Sequence, residues 1–73
     1  MKYEIGTLII GTSADKKVSA IAVIVEVYPA EREYRMIIQR NTKGILTPDF
    51  DSGTWSEEQL NSWEVNYGYT FVK

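Results

Sequence analysis

The chain contains neither cysteine nor histidine. Without cysteine no disulfide staples the fold and no thiolate holds a metal. Without histidine the commonest general base, the usual triad member and the best zinc ligand are all missing. No phosphate-cradling loop or hydrolase motif stands in their place. An enzyme is therefore not expected, and neither is a cofactor, a bound metal or a small-molecule substrate. Long apolar runs are absent too. No stretch approaches the roughly 20 apolar residues of a membrane-spanning helix. The amino-terminal "MKYEIGTLIIG" is too short and too interrupted for a signal peptide. A soluble, intracellular protein with no membrane partner is expected.

Basic residues are scarce in the second part of the chain. Residues 45–73 carry one basic and five acidic side chains, whereas residues 1–44 carry seven basic and five acidic. The net charge of −2 argues against wholesale wrapping by nucleic acid, while the uneven distribution allows a local basic patch. With 73 residues the chain is expected to form one domain, 1–73. A domain of this size buries only about 60% of the surface that its unfolded chain exposes. Its stability must come from a well-packed core or from oligomerisation.

What is present is mostly strand pattern. Residues 5–10 form a first candidate strand, followed by the polar loop "GTSADKK". Residues 18–28 are the strongest strand. Ile21, Val23, Val25 and Val27 make one β-branched face, expected to meet the core. Ala20, Ala22, Ile24, Glu26 and Tyr28 make a mixed face, where the two alanines allow close approach by another chain. Pro29 ends this strand, because it has no N–H for a ladder. Residues 34–40 form the third strand, with Tyr34, Met36 and Ile38 alternating against Arg35, Ile37 and Gln39. "NTKG" is a tight turn with Gly44 free to take positive φ. Residues 45–47 start a short fourth strand, and "PDFDSG" is a loop of turn formers.

In "TWSEEQLNSWEV", Ser56 and Gln59 stand at capping-box spacing, with Glu57 and Glu58 placed for the helix dipole. A single turn of helix or 3₁₀ helix ending near Asn61 or Ser62 is expected. Trp55 and Leu60 are expected to plug one end of the sheet. From Trp63 the period returns to two, and Trp63, Val65, Tyr67, Tyr69 and Phe71 share one face of a long closing strand.

On these residues a resemblance can be stated. "GTLI" at residues 6–9 resembles the first strand of small SH3-like barrels. "AVIVEVY" followed by "EYRMIIQ" looks like their central hairpin, and "TWSEEQL" resembles the short helical turn before their last strand. The pattern recurs in small proteins of tailed phages and their hosts. The resemblance implies an all-β fold: a small, five-stranded, strongly bent SH3-like or Sm-like barrel with one short helical turn before the last strand. It also implies a cytoplasmic location in a bacterial or phage-infected cell. The chain is similar to Sm-like ring proteins in strand order. It departs from them in lacking an initial helix, the base-binding Asp and Asn, which have no counterpart in "YPAEREY", and the Arg-Gly pair, which is missing from "QRNTKG". Their base-binding residues are not carried over, but assembly through strand edges remains.

Three sets of residues are candidates for function. Asp49, Asp51, Glu57 and Glu58 are the one carboxylate cluster. Counted from Asp49, the sixth and twelfth positions of a calcium loop are Thr54 and Leu60 rather than Gly and Glu. Turn and dipole chemistry is the expectation, with no metal. Lys16, Lys17, Arg35, Arg40 and Lys43, with Tyr28 and Tyr34 as stacking faces, form a candidate patch for RNA or single-stranded DNA. A solvated face neutralised by Glu26, Glu31 and Glu33 is the alternative. Tyr67, Tyr69 and Phe71 form an aromatic stripe expected to join protomers of a homo-oligomer, with Ala20 and Ala22 as a second contact. A bend at Gly68 that packs the stripe within the monomer is the alternative. The favoured expectation is a non-enzymatic binding and assembly module that self-associates into a closed oligomer. The second is an Sm-like nucleic-acid binder.

Overall fold

A computed structural model of the chain describes residues 2–12, 18–42 and 45–73, with the backbone alone for residues 41, 42 and 45–50. It contains β1 (Leu8–Thr12), β2 (Val18–Tyr28), β3 (Glu33–Thr42), β4 (Ile45–Ser56), α1 (Glu57–Val65) and β5 (Thr70–Val72). The strands form one five-stranded antiparallel sheet in the order β4-β3-β2-β1-β5. β4 and β5 lie at its edges, and no ladder joins them among the described residues. Helix α1 and the amino-terminal segment around Tyr3 cover one face. The core between them consists of Tyr3, Ile9, Ala22, Ile24, Tyr34, Met36, Ile38 and Leu60.

β2 spans the expected residues, but the face it turns to the core is the other one. Ala22 and Ile24 are buried, whereas Ile21, Val23 and Val25 are only half-buried on the far side. The ladder steps from Ile24–Met36 to Glu26–Arg35, leaving Val25 without a partner of its own in β3. Such a bulge shifts the alternation by one residue. Even-numbered residues therefore face the core before it, and Val27 packs against the core after it. The choice of face is settled by β3, whose Met36 and Ile38 lie opposite Ile24 and Ala22 and are buried with them.

Three elements differ from the expected pattern. β1 starts at Leu8 rather than residue 5, because Gly6 takes φ +91° and a turn closes between Glu4 and Thr7. β4 runs for 12 residues, so "PDFDSG" is strand rather than loop. Pairing with β3 runs from Thr42–Ile45 to Asn41–Leu46 and resumes from Gln39–Phe50 to Glu33–Ser56, and Pro48 falls in the irregular stretch between them, where no ladder bond needs its missing N–H. Helix α1 is an α-helix of nine residues, not a single turn. Its capping box is complete: the Ser56 Oγ accepts from the Gln59 N–H at 3.2 Å, and the Gln59 Oε1 accepts from the Ser56 N–H at 2.9 Å. Leu60, fully buried, and Trp63, packed on the core, share its inward side at a spacing of three. That anchoring carries the helix through Trp63 and Val65, so β5 keeps only three residues instead of a long closing strand. Gly68, at φ +68°, makes the bend between them.

Candidate functional site

Three surfaces are built by this arrangement. A depression of about 710 Å³ is lined by Lys2, Pro29, Arg32, Glu57, Glu58 and Asn61. Its centre is Glu57 at the first position of α1. One carboxylate oxygen accepts from the Tyr34 hydroxyl and from the Lys2 backbone N–H, each at 2.8 Å. The other is gripped by Arg32, at 2.7 Å from Nη2 and 3.3 Å from Nε. The Arg32 guanidinium, then the Lys2 amide and the Tyr34 hydroxyl, hold the Glu57 carboxyl down to about 2. Arg32 itself sits at φ +54°, and its carbonyl accepts the Glu57 backbone N–H at 2.9 Å. Behind Glu57, the Tyr34 hydroxyl accepts from the Tyr3 N–H at 3.0 Å, and the Tyr3 hydroxyl donates to Glu64 at 2.9 Å. Burial first, and Glu64 second, push the Tyr3 phenol up; burial does the same to Tyr34. The chemistry of this depression is internal. The contacts of Glu57 with Arg32, Tyr34 and the Lys2 amide tie the β2–β3 turn, α1 and the amino-terminal segment together.

The second surface is a cleft of about 190 Å³ on the core side, reached from α1 by Trp63. Gly11, Ala20 and Ala22 make part of its floor, with Ile9 and Ile38 beside them. Trp55, Trp63 and Tyr69 form its wall, and Arg40 lies on its rim. Adjacent ring centroids along the wall are 6.2 and 6.3 Å apart, inclined at 59° and 45°. Tyr67 extends the row, 5.7 Å from Tyr69. The glycines explain how the rings fit. A Cβ on Gly53 would lie 3.1 Å from the Trp55 indole, and one on Gly11 would lie 3.3 Å from the Tyr69 ring. Each ring rests where a side chain is missing. Arg40 forms an ion pair with Asp51, directly across the rim. Among the described residues, neither the two indole N–H groups nor the Tyr69 hydroxyl has a hydrogen-bond partner.

The third surface is the outer face of the sheet. Val72, Leu8, Val23 and Ile37 lie directly side by side across four strands. Ile10 and Ile21 form the next row, between Thr70 and Gln39. Ile37 is 37% and Val72 45% exposed. A shallow groove of about 90 Å³ runs among Leu8, Ile21, Val23, Ile37 and Gln39. No described element covers this face.

The residues singled out in the sequence are dispersed by the fold. Lys16, Lys17 and Lys43, together with the Asp49 side chain, lie outside the described residues. Arg35 and Arg40 are five positions apart on β3 and so project from opposite faces of the sheet. Arg35 faces outward beside Glu26, and Arg40 is on the cleft rim. Tyr34 is fully buried, which removes it from any stacking surface. Tyr28 is half-buried and donates to Glu26 at 2.8 Å. Of the aromatic stripe, Phe71 packs on Tyr3 with ring centroids 4.8 Å apart, and Tyr69 packs on the core. Tyr67 alone of the three is well exposed, at 64%. Ala20 and Ala22 lie on the core side, where they line the cleft. Asp51 is held by Arg40 and Glu57 by Arg32, and among the described residues no three acidic side chains gather as metal ligands. The cleft itself escaped the sequence, although "GTW" carried a signal. A glycine two residues before a tryptophan on one strand leaves room for the indole to lie back over it.

Comparison with protein-family models, with curated proteins and with solved structures finds no match to this chain. Among the described residues, no helix is long and apolar enough to cross a membrane.

Proposed function

We propose that the chain is a non-enzymatic binding and assembly module of the small SH3-like barrel type, which self-associates into a closed oligomer through the outer face of its sheet. The barrel reading is supported by connectivity. Four strands follow one another across the sheet, and a helix then returns the chain to pair β5 with β1. Bending such a sheet until its two edges approach gives a small barrel, and the Val25 bulge adds local bend and twist.

The observation that carries self-association is the aliphatic band on the outer face. Two adjacent rows across the sheet, from Val72 to Ile37 and from Ile10 to Ile21, contain no charged side chain. A domain this small gains little from its own core, so burying a second apolar face contributes proportionally more, at about 25 cal/mol per Å². Two copies related by a two-fold axis place like rows against like rows, with the sheets about 10 Å apart. Ile37 lies within the band and Tyr67 away from it, which separates this interface from the aromatic stripe. Ile37→Lys is expected to lower the solution mass to that of a monomer, measured by light scattering. Tyr67→Lys is expected to leave the mass unchanged. An Ile37→Lys protein that keeps the wild-type mass contradicts the assignment.

A further inference from the structure

On the reading that the outer face joins copies of the chain, we propose that it docks on a second copy about a two-fold axis running along the strands between β2 and β3. Arg35 and Glu26 of one copy then meet Glu26 and Arg35 of the other. Beside the aliphatic band, the ladder places Glu26 of β2 directly opposite Arg35 of β3. Both side chains are exposed, and neither has an ion pair among the described residues. The Tyr28 hydroxyl donates to Glu26 at 2.8 Å and has Arg35 beside it. Tyr28 itself lies opposite Glu33 in the next row. The bulge at Val25 brings these groups to the outer face. An unbroken alternation would turn Glu26 to the core side with Ala22 and Ile24, and the shift of one residue returns it to the margin of the band.

Charge complementarity selects both the occupant and the axis. Placing like rows against like rows requires an axis parallel to the strands. An axis along β2, the middle strand of the five, sets Glu26 against Glu26 of the second copy. Moving the axis to the gap between β2 and β3 exchanges these two strands across the interface. Arg35 then lies over Glu26, and Glu26 over Arg35, two unlike pairs in place of a like one. The same exchange lays Val23 over Ile37 and Ile37 over Val23 within the band. It also lays Tyr28 over Glu33, a carboxylate that can accept from a phenol. A face with one acid and one base on neighbouring strands is thus complementary to itself about this axis. The aliphatic rows supply the burial, and the charged pairs at their margin fix the register. One partner covers the face, so the assembly closes at two chains.

The test reverses each charge in a separate protein and then mixes the two. Arg35→Glu leaves the margin with two acids, and Glu26→Arg leaves it with two bases. Each protein alone should dimerise about ten-fold or more weakly than the wild type by sedimentation, because each copy meets its own sign. An equimolar mixture should recover the dimer, and the recovery should fade as salt rises from about 50 to 500 mM. Mixing separates docking from folding. Within one chain Glu26 and Arg35 are ladder neighbours, so a like pair there persists whatever is added, and only contact between copies is repaired. A chain with both Glu26→Gln and Arg35→Gln carries no like pair and should lose most of the salt dependence of the wild-type dimer. A mixture that stays as dissociated as its parts overturns the proposal, and so does an unchanged salt dependence in the doubly neutral chain. If Ile37→Lys is monomeric while both charge reversals dimerise as the wild type does, the outer face is the interface and the axis lies elsewhere. A wild type that is itself monomeric removes the assembly reading and this axis together.

Discussion

Replacing Tyr34 with Phe removes one oxygen atom and leaves the ring in place. That oxygen accepts from the Tyr3 N–H at 3.0 Å and donates to Glu57 at 2.8 Å. Tyr34 is fully buried and Tyr3 is 3% exposed, so water cannot readily replace the lost acceptor. An orphaned buried N–H costs about 1–3 kcal/mol, and the variant is expected to lose about 2 kcal/mol. For a domain of this size each kcal/mol moves Tm by about 4–8 °C, so a fall of about 8–16 °C is expected. Tyr3→Phe is the control. Its hydroxyl donates to Glu64, whose side chain is 39% exposed and able to turn to water. A loss of about 0.5–1 kcal/mol is expected there. Urea unfolding followed by far-ultraviolet circular dichroism measures both. A Tyr34→Phe protein within about 0.5 kcal/mol of wild type, or one more stable than Tyr3→Phe, refutes the role of this hydroxyl.

Other perturbations probe the same framework. The Glu57 carboxyl ordinarily titrates near 4.5 and is held down to about 2 by Arg32, the Lys2 amide and Tyr34. Its depressed value means that its contribution is complete above pH 4.5 and is lost as pH falls toward 2. An acid unfolding series should show Glu57→Gln less stable than wild type at pH 7, with the two converging near pH 2. Ser56→Ala removes the oxygen that caps α1 and should cost about 1 kcal/mol in urea unfolding, while Ser56→Asp should keep most of the stability. Gly53→Ala puts a methyl group 3.1 Å from the Trp55 indole, and a changed emission maximum with a loss of about 1 kcal/mol is expected. An unchanged emission spectrum would mean that the indole does not rest on Gly53.

Much of the sheet was legible because its strands carry β-branched and aromatic residues between turn formers. β2 occupies the expected residues, and the capping box at Ser56 marks the start of α1. What failed depends on partners. The four-valine-and-isoleucine face of β2 looks like the core side as a strand alone. The bulge at Val25 and the buried Met36 and Ile38 of β3 decide otherwise. "PDFDSG" looks like a loop until nine of the twelve residues of β4 find partners along β3. Trp63, Val65 and Tyr67 fit a period of two, but Leu60 and Trp63 also fit a helix, and packing against the core selects the helix. The candidate sites moved for the same reason. Parity along β3 separates Arg35 from Arg40, and the flipped face of β2 takes Ala20 and Ala22 under the aromatic cleft. The cleft draws on four strands, on Trp63 of α1 and on Tyr69 just before β5, so no short stretch of sequence contains it.

The most direct test of the assembly proposal is the solution mass of the wild-type protein by light scattering, over a hundredfold range of concentration. The outer aliphatic band predicts a constant mass that is a small multiple of the 8.4 kDa chain. A mass of one chain at every concentration would contradict it.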